Sequence, residues 1–244
     1  MDIVYILKQQ EENLDLRYSL RSVAKYVTGF EKIWCAGYKP KWLSDEVGYI
    51  PANQSGNKWQ NALQNLINAC QCNDVSEDFA LFNDDFFALR PCNIQSVNYC
   101  CGTIDSAIRK WVCAGDSEWR RAFWQSKELL EKLGCEHFAD FALHMPMLMN
   151  RHKFLKLMKL KEVRRHVRRY KHISFRTIYG NYYWSDPVVV NDCKPKRLRD
   201  ATKAMMAAGW LSVLDGVTND LGLYPNISKA LNQFNEKCVY EKME

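Results

Sequence analysis

The residues of this sequence best suited to chemistry are three consecutive polar side chains, Asn83, Asp84 and Asp85. They directly follow an apolar run at residues 79–82 that has the composition of a buried β-strand. Two adjacent carboxylates at such a strand end are costly to leave unpaired, and their oxygens suit Mg²⁺ or Mn²⁺. The pattern favours a site for a divalent metal and a diphosphate, although a solvated acidic turn uses the same residue types.

Two arginines, Arg17 and Arg21, are four positions apart, so on a helix both guanidinium groups lie on one face. Guanidinium groups match the geometry of phosphate oxygens and stay charged at any working pH. The alternative is an ordinary surface pair balanced by Glu11, Glu12 and Asp15, and from the spacing alone that alternative is favoured.

Two further residues are candidates for a transfer step. His144 precedes Met145 and Pro146 in an apolar setting, where a single histidine is more often structural than catalytic. Its side chain would nevertheless suit a general base or a phosphate-handling group. Arg176 lies where a helix is expected to give way to an extended segment, and from the residues alone it is simply the last charge of a basic stretch.

The elements that must position these residues alternate along the first ninety positions. Short apolar runs at residues 3–7, 33–36, 47–50 and 79–82 predict strands, and apolar recurrence at residues 16–27 and 58–70 predicts helices. This alternation is typical of βαβ units, so we expect an α/β fold with a mostly parallel sheet. Ligands of open α/β sheets bind at the carboxyl ends of strands, where Asp84 would lie.

The second half of the chain is predicted to be more helical. Helices are expected over residues 117–133, 195–208 and 227–234, and a strand over residues 210–214. That strand ends at Asp215, a carboxylate in the same kind of position as Asp84.

Positive charge is concentrated in one segment. Residues 151–176 contain eleven Lys or Arg and one Glu, a net of +10, which leaves −4 for the rest of a chain whose total is +6. An apolar stripe from Phe154 to Tyr170 predicts one amphipathic helix here. Such a helix would attract DNA or an anionic membrane surface, and the alternative is a solvated helix face.

Length and composition limit the class of protein. A chain of 244 residues with 47% hydrophobic residues suits one domain with a sizeable core. Ten cysteines without any C-x-x-C pair indicate free thiols in a reducing cytoplasm rather than a zinc site. The sequence has neither a signal peptide nor the ~20 apolar residues of a membrane span, so we expect a cytoplasmic protein without a transmembrane segment.

With these positions in view, the chain resembles the Stealth family of hexose-1-phosphate transferases, which build capsular polysaccharides and, in related enzymes, mark lysosomal glycoproteins. The specific pieces are Leu-Arg-Tyr-Ser-Leu-Arg-Ser at residues 16–22 and the Asn-Asp-Asp strand end at residues 83–85. Weaker pieces lie at residues 2–5, 40–43, 144–146, 175–176, 210–215 and 240–241. The resemblance therefore runs over nearly the whole chain.

The resemblance implies one transferase domain over residues 1–244 with a GT-A-like nucleotide-diphospho-sugar transferase fold. Residues 1–115 would form the nucleotide-sugar-binding half, and residues 116–244 the helical acceptor half that carries the basic insertion at residues 151–176. It also implies Mg²⁺ or Mn²⁺, a UDP-sugar donor, and a hydroxyl acceptor on a polysaccharide or another polymer.

The resemblance also implies roles for individual residues. The metal ligands would be Asp84, Asp85 and Asp215. The transfer step would use His144, Arg176 and Asp85. The donor would be bound by Arg17, Arg21, Lys58, Asn61 and Asn83. The family's Phe-Asn-Ser before the second helix is replaced here by Lys58-Trp59-Gln60, and the basic segment is more charged than is usual for the family. The transferred group (a sugar-1-phosphate or a sugar) and the acceptor (a glycan, a protein or DNA) stay open, and a non-enzymatic binder of nucleic acid or anionic surfaces on the same fold is the alternative.

Overall fold

The structure of the protein, a computed structural model, describes residues 1–96, 99–113, 115, 117–170, 172–184, 186–194, 209–214 and 217–242. The helix predicted over residues 195–208 and the candidate metal ligand Asp215 lie outside these ranges. None of the helices within them combines the length and the apolar character needed to cross a membrane.

The elements alternate between strands and helices. In chain order, the first half contains β1 (Asp2–Leu7), α1 (Leu14–Tyr26), β2 (Val27–Thr28), β3 (Ile33–Gly37), β4 (Gly48–Pro51), α2 (Lys58–Gln71), β5 (Asp78–Phe82), β6 (Phe86–Ala88), β7 (Cys92–Asn93), β8 (Tyr99–Cys100) and α3 (Ile104–Cys113). The second half contains α4 (Ser117–Lys132), β9 (Met147–Asn150), α5 (Arg151–Lys159), α6 (Lys161–Arg169), α7 (Phe175–Tyr183), β10 (Val188–Val189), β11 (Trp210–Ser212) and α8 (Pro225–Leu231). Short 3₁₀ segments lie at Ile94–Ser96, Val217–Leu223 and Asn232–Phe234.

The central sheet has five strands in the order β4-β3-β1-β5-β9. β1 pairs in parallel with β3 and β5, β3 pairs in parallel with β4, and β9 is antiparallel to β5. The predicted α/β fold with a mainly parallel sheet is therefore confirmed, and the arrangement is compatible with a Rossmann-like fold. The antiparallel edge strand β9 was not expected from the sequence.

Helices cover both faces of the sheet, which explains the apolar composition of β1. Val4 belongs to the core that also contains Leu66 of α2, whereas Ile3 and Tyr5 belong to the core that contains Leu16 of α1. Successive side chains of a strand point to opposite faces, so a central strand with two covered faces needs a continuous apolar run. The same burial applies to β5 and fixes where residues 83–85 emerge.

The strand predicted at residues 210–214 is present as β11, but it does not extend the central sheet. It pairs antiparallel with β6, and Ser212 lies opposite Phe86. This two-stranded ribbon brings Ser212 next to the carboxylate that immediately precedes β6.

The prediction of one amphipathic helix across the basic segment is wrong. Leu160 has extended backbone angles, φ −60° and ψ 137°, and separates α5 from α6. Each half buries its own apolar residues, with α5 packed on α2 and α6 packed on α4 and α5. Because the two helices have different packing partners, the chain turns between them.

The extended segment expected around Arg176 is also wrong, because residues 175–183 form α7. Aromatic and β-branched residues such as Tyr179 and Ile178 favour strands in isolation, and here both are buried in the core. Tertiary packing against α4 therefore outweighs the local preference.

The C-terminal segment is fastened to α1 by a buried carboxylate. Both Oε atoms of Glu241, whose side chain is fully buried, accept hydrogen bonds from Arg21, at 2.6 and 2.8 Å. Arg17 donates to the same carboxylate at 3.0 Å and stacks on Trp42. One acid thus holds the two arginines that the sequence suggested for phosphate binding.

We expect Glu241→Gln to destabilise the fold by about 2 kcal/mol at pH 7, less than for a fully buried pair because both arginines are partly exposed. Burial alone would raise the pKa of Glu241, but the hydrogen bonds from Arg21 and Arg17 outweigh it and lower that pKa. A lowered pKa gives stabilisation that is present above the unfolded-state value of about 4.3 and is lost as the pH falls through the folded-state value. Urea unfolding between pH 7 and pH 3 checks this dependence, which the variant should lack.

The matched control is Glu236→Gln, an exposed acid in the same segment. It should leave both the stability and its pH dependence unchanged. Equal effects of the two substitutions would contradict the role of the Glu241 carboxylate.

Candidate functional site

A cleft of about 650 Å³ opens at the carboxyl ends of β1 and β5. Its walls come from many places in the chain: the end of β1, the residues after β5, Gln54 and the first turns of α2, the beginning of α4, the loop before β9, the start of α7, the loop after β10 and the residues after β11. Its polar and charged lining residues include Lys8, Lys58, Asn61, Asn83, Asp84, Asp85, His144, Arg176 and Lys194.

Asp84 is positioned by the residue that begins α1. Asn13 has a left-handed backbone, φ 30°, and its side-chain oxygen caps α1 by accepting from the Leu16 amide. Its amide nitrogen donates to Asp84 Oδ2 at 3.1 Å. Asparagine tolerates this backbone conformation better than most residues do. A single buried side chain therefore links the helix start to the strand end.

The charge on Asp84 is poorly compensated. Burial raises its pKa to about 7, and the neighbouring carboxylates of Asp85 and Asp15 add to the increase. Lys8 and the hydrogen bond from Asn13 act in the opposite direction without cancelling it. A cation at this position would relieve the repulsion and favour the ionised form.

Asp85 is compensated within the protein. Its Oδ2 accepts a hydrogen bond from the Ser212 hydroxyl at 2.6 Å and one from Lys194 Nζ at 3.0 Å. Only 6% of the residue is exposed. The two adjacent acids therefore differ: Asp85 is held by an internal ion pair, whereas the charge on Asp84 is only partly offset by Lys8.

On the opposite wall, His144 is held in place by Asp192. The two Oδ atoms of this carboxylate contact the His144 backbone amide at 3.0 Å and the ring Nδ1 at 2.8 Å. With Nδ1–H donating to the carboxylate, Nε2 is the ring nitrogen that carries a lone pair. Burial alone would raise the pKa of Asp192, but the contacts with His144 outweigh it and lower that pKa.

The loop that carries Asp192 and Lys194 is fixed on both sides. Upstream, β10 pairs with β8, and the Val190 amide donates to the Cys100 carbonyl. At the cleft, Cys193 Sγ donates to the His144 carbonyl at 2.8 Å. One short segment thus supplies the partner of His144 and the partner of Asp85.

Arg176 lies at the base of the cleft and is 7% exposed. Its guanidinium donates to the carbonyls of Leu143, Met145 and Leu81, at 3.0, 2.7 and 3.2 Å. Burial lowers its pKa to about 10, and the attraction of Asp85 and Asp192 limits the decrease, so it stays charged at neutral pH. It joins the His144 loop to β5 and places a fixed positive charge beneath the cleft.

The remaining wall, formed by α2 and α4, is aromatic. The rings of Trp59 and Trp119 meet edge to face with centroids 4.7 Å apart. Lys58 bridges to Glu118 at 2.9 Å, and the Asn61 side chain bonds to the backbone of Gly56. Lys58 and Asn61 therefore line the cleft, although both already have partners within the protein.

The structure brings together most of the residues that the sequence predicted for the site. Those lining the cleft are Lys58, Asn61, Asn83, Asp84, Asp85, His144 and Arg176. Arg17 and Arg21 do not line it, because their guanidinium groups bind Glu241. Asp215 follows Leu214, which does line the cleft, but lies outside the residues that the structure describes.

Sequence reasoning missed Asn13, Asp192 and Lys194. Asn13 carried a usable signal, because an asparagine directly before a helix is a preferred N-cap. Asp192 and Lys194 lie in a loop without a recognisable pattern, 48 and 109 positions away from their partners His144 and Asp85. Their proximity arises only from the tertiary fold.

The residues present fit a divalent cation that is shared with a phosphate ligand. The described residues contain no group of three His, Cys, Asp or Glu side chains placed to hold a metal. Mg²⁺ in nucleotide sites, however, needs only one or two carboxylates because water and phosphate oxygens complete its coordination. The carboxylate of Asp84, whose charge is only partly offset, meets that smaller requirement together with the neighbouring Asn83 side chain.

Comparison with known proteins does not assign the chain to a family. No protein-family model matches the chain, and no curated protein matches it significantly.

We expect Asp84→Asn to gain about 4 kcal/mol of stability relative to the wild type between pH 4 and pH 8, because a pKa raised from about 3.9 to about 7 is worth about 1.4 kcal/mol for each pH unit. With a folded-state pKa raised to about 7, the stabilisation from the protonated Asp84 is complete below about pH 3.9 and is lost as the pH rises through 7. Asparagine cannot ionise, so the difference should grow between about pH 4 and pH 7 and then level off. Urea unfolding at pH 5, 6, 7 and 8 measures it.

Asp74→Asn, which removes an exposed carboxylate, is the control and should show no difference that depends on pH. A constant offset between Asp84→Asn and the wild type across this range would contradict the raised pKa.

Proposed function

We propose that the cleft is the donor site of a nucleotide-sugar-dependent transferase that moves a sugar-1-phosphate or a sugar to a hydroxyl acceptor. The observation that carries the proposal is the composition of this one cavity. It combines a strand-end carboxylate whose charge is only partly offset, one buried cation (Arg176), one partly exposed cation (Lys194), and a histidine oriented by an aspartate. The Stealth-like motifs at residues 16–22 and 83–85 support the same reaction class and a GT-A-like form of the fold.

The donor's diphosphate would lie at the ends of β1 and β5. Asp84 and Asn83 would hold Mg²⁺ or Mn²⁺, with Asp215 as a further candidate ligand from outside the described residues. Such an ion, when bound, neutralises diphosphate charge and stabilises the leaving nucleotide. Lys194 and Arg176 add positive charge from the protein, and fixed charges of this kind need no reorganisation as the reaction proceeds.

Asp85 would act through Lys194 rather than as a separate ligand. Its ion pair with Lys194 and its hydrogen bond from Ser212 fix the ammonium group at the edge of the cleft. A lysine held in this way presents its remaining N–H donors to an incoming phosphate.

His144 would act on the acceptor side. With Nδ1–H donating a hydrogen bond to Asp192, Nε2 can take the proton of an acceptor hydroxyl as that oxygen attacks. Attack at phosphorus would give a phosphodiester, and attack at the anomeric carbon would give a glycoside. The family resemblance favours the phosphodiester, and mass spectrometry separates the two products by one phosphate.

A panel of nucleotide-sugars, beginning with UDP-sugars, tests donor binding by thermal shift with and without Mn²⁺. At a donor concentration about 100 times Kd, we expect at least one compound to raise Tm by about 5 °C or more in the presence of Mn²⁺. Asp84→Asn should lose the part of this shift that depends on Mn²⁺, and Asp74→Asn should keep it. The absence of stabilisation by any donor would contradict the proposal.

His144→Ala should reduce kcat by about 10²-fold or more while donor binding is retained, because it removes the proton acceptor and leaves the diphosphate site intact. Asp192→Asn should also lower kcat and should change its pH profile, since an amide partner no longer fixes the Nδ1–H form of the ring. The control for Asp192 is Asp186→Asn, an exposed acid nearby in the chain. An unchanged kcat in His144→Ala would exclude the assigned role.

A further inference from the structure

A second charged feature lies outside the cleft, on the surface formed by α6 and the end of α5. Six cationic side chains border a shallow groove of about 540 Å³ there, called the basic groove below: Lys159, Lys161, Arg164, Arg165, Arg168 and Arg169. All six residues are exposed. The mechanism proposed for the cleft uses none of them.

The charges of the basic groove lack acidic partners in the part of the chain that the structure describes. Among the residues that the structure describes, none of the six forms an ion pair with an acid within 4.0 Å. Nearby lysines behave differently, since Lys127 pairs with Asp105 and Lys132 pairs with Glu128. Five of these exposed, mutually repelling cations lie on α6 and destabilise it, which indicates that the surface is kept for an anionic ligand.

The surroundings of α6 favour a polymer over a membrane. Helices that bind membrane surfaces insert an exposed apolar face beside their charges. In α6 the residues that face away from solvent are buried, Val163 at 2% exposure and His166 at 4%, and they pack towards α4. A groove with charge and without an exposed apolar face fits a strand of phosphates better than a bilayer.

The density of charge also fits a nucleic acid. The nine residues of α6 extend about 13 Å along the helix axis, and five of the six cations lie on them. Duplex DNA carries one negative charge per about 1.7 Å of its axis, which is several phosphates over that length. Arg164 and Arg168 are one helical turn apart, as are Arg165 and Arg169, so the cations form two parallel rows.

The basic groove and the cleft are formed in part by residues that are near each other in the sequence. Arg169 precedes Phe175, a cleft residue, by six positions, so the two are at most about 20 Å apart. His172, between them, packs edge to face on Trp59 of the cleft wall. A bound polymer would therefore pass near the cleft mouth.

We propose that the basic groove binds the phosphodiester backbone of nucleic acid. The contact is with phosphates, so it is independent of base sequence and depends strongly on salt. The proposal stands on the groove alone and does not require the cleft to be a transferase. If the cleft is one, the groove would present a polymer bearing a hydroxyl group to it.

Fluorescence anisotropy with a labelled duplex of random sequence, and with a single strand of equal length, tests the proposal with the full chain. For six phosphates contacted, log K should fall against log salt with a slope of about −5 for the duplex and about −4 for the single strand. Between 50 and 200 mM NaCl the duplex affinity should fall about 10³-fold. No binding of either probe at 50 mM NaCl would overturn the proposal.

The variant Arg164→Gln/Arg168→Gln should reduce the duplex slope by about 2, because two phosphate contacts are lost and glutamine preserves the helix. Lys41→Gln/Lys229→Gln removes the same charge from two exposed positions elsewhere in the chain and should keep the wild-type slope. Equal losses in both variants would mean that net charge alone drives binding, and this would overturn the assignment. So would binding to anionic phospholipid vesicles that is as tight as binding to the duplex and equally sensitive to Arg164→Gln/Arg168→Gln.

Failure of this proposal and failure of the transferase proposal are distinguishable. Asp84→Asn should bind the duplex with wild-type affinity, and Arg164→Gln/Arg168→Gln should keep the Mn²⁺-dependent thermal shift with a nucleotide-sugar. Loss of duplex binding in Asp84→Asn would place the nucleic acid in the cleft and overturn the assignment to the basic groove.

Discussion

The carboxylates gathered at the end of β5 are the constraint on which the rest of this molecule depends. A strand buried on both faces delivers Asp84 and Asp85 to one edge of the sheet, where neither can be left uncompensated without cost. Asp85 is stabilised by hydrogen bonds from Lys194 and Ser212, which connect the loop after β10 and the strand β11 to the site. For Asp84 it supplies only partial relief, and burial holds the pKa of that carboxyl near 7. The negative charge of Asp84 that the protein does not offset is the physical basis for proposing a cation and a diphosphate there.

Buried positive charge near these carboxylates also connects the two walls of the cleft. Arg176 is buried beneath them and joins the loop of His144 to β5 through three backbone carbonyls. The segment that neutralises Asp85 also carries Asp192, the partner of His144. The proposed donor side and acceptor side are therefore one connected network, and a disturbance at either side is expected to reach the other.

The parts that the sequence predicted are those governed by local pattern. Apolar runs and helical recurrence predicted β1, β5, α1 and α2, and the strand-end position of Asp84 followed from them. Pattern did not predict the partners of charged groups. Arg17 and Arg21 do share a helix face, but their carboxylate comes from Glu241, more than 200 positions later in the chain. The break at Leu160 and the helix α7 were missed for a related reason, since each depends on which neighbour a segment packs against.

The most direct test of the central claim, that Asp84 holds a cation shared with a nucleotide diphosphate, is electron paramagnetic resonance of Mn²⁺ titrated into the protein with UDP present. We expect about one Mn²⁺ per protein to lose its free-ion signal when UDP is added, because phosphate oxygens complete the coordination that Asp84 begins. In Asp84→Asn the free-ion signal should persist, whereas Asp74→Asn should behave like the wild type. Mn²⁺ binding that is independent of UDP, or that is unchanged in Asp84→Asn, would contradict the claim.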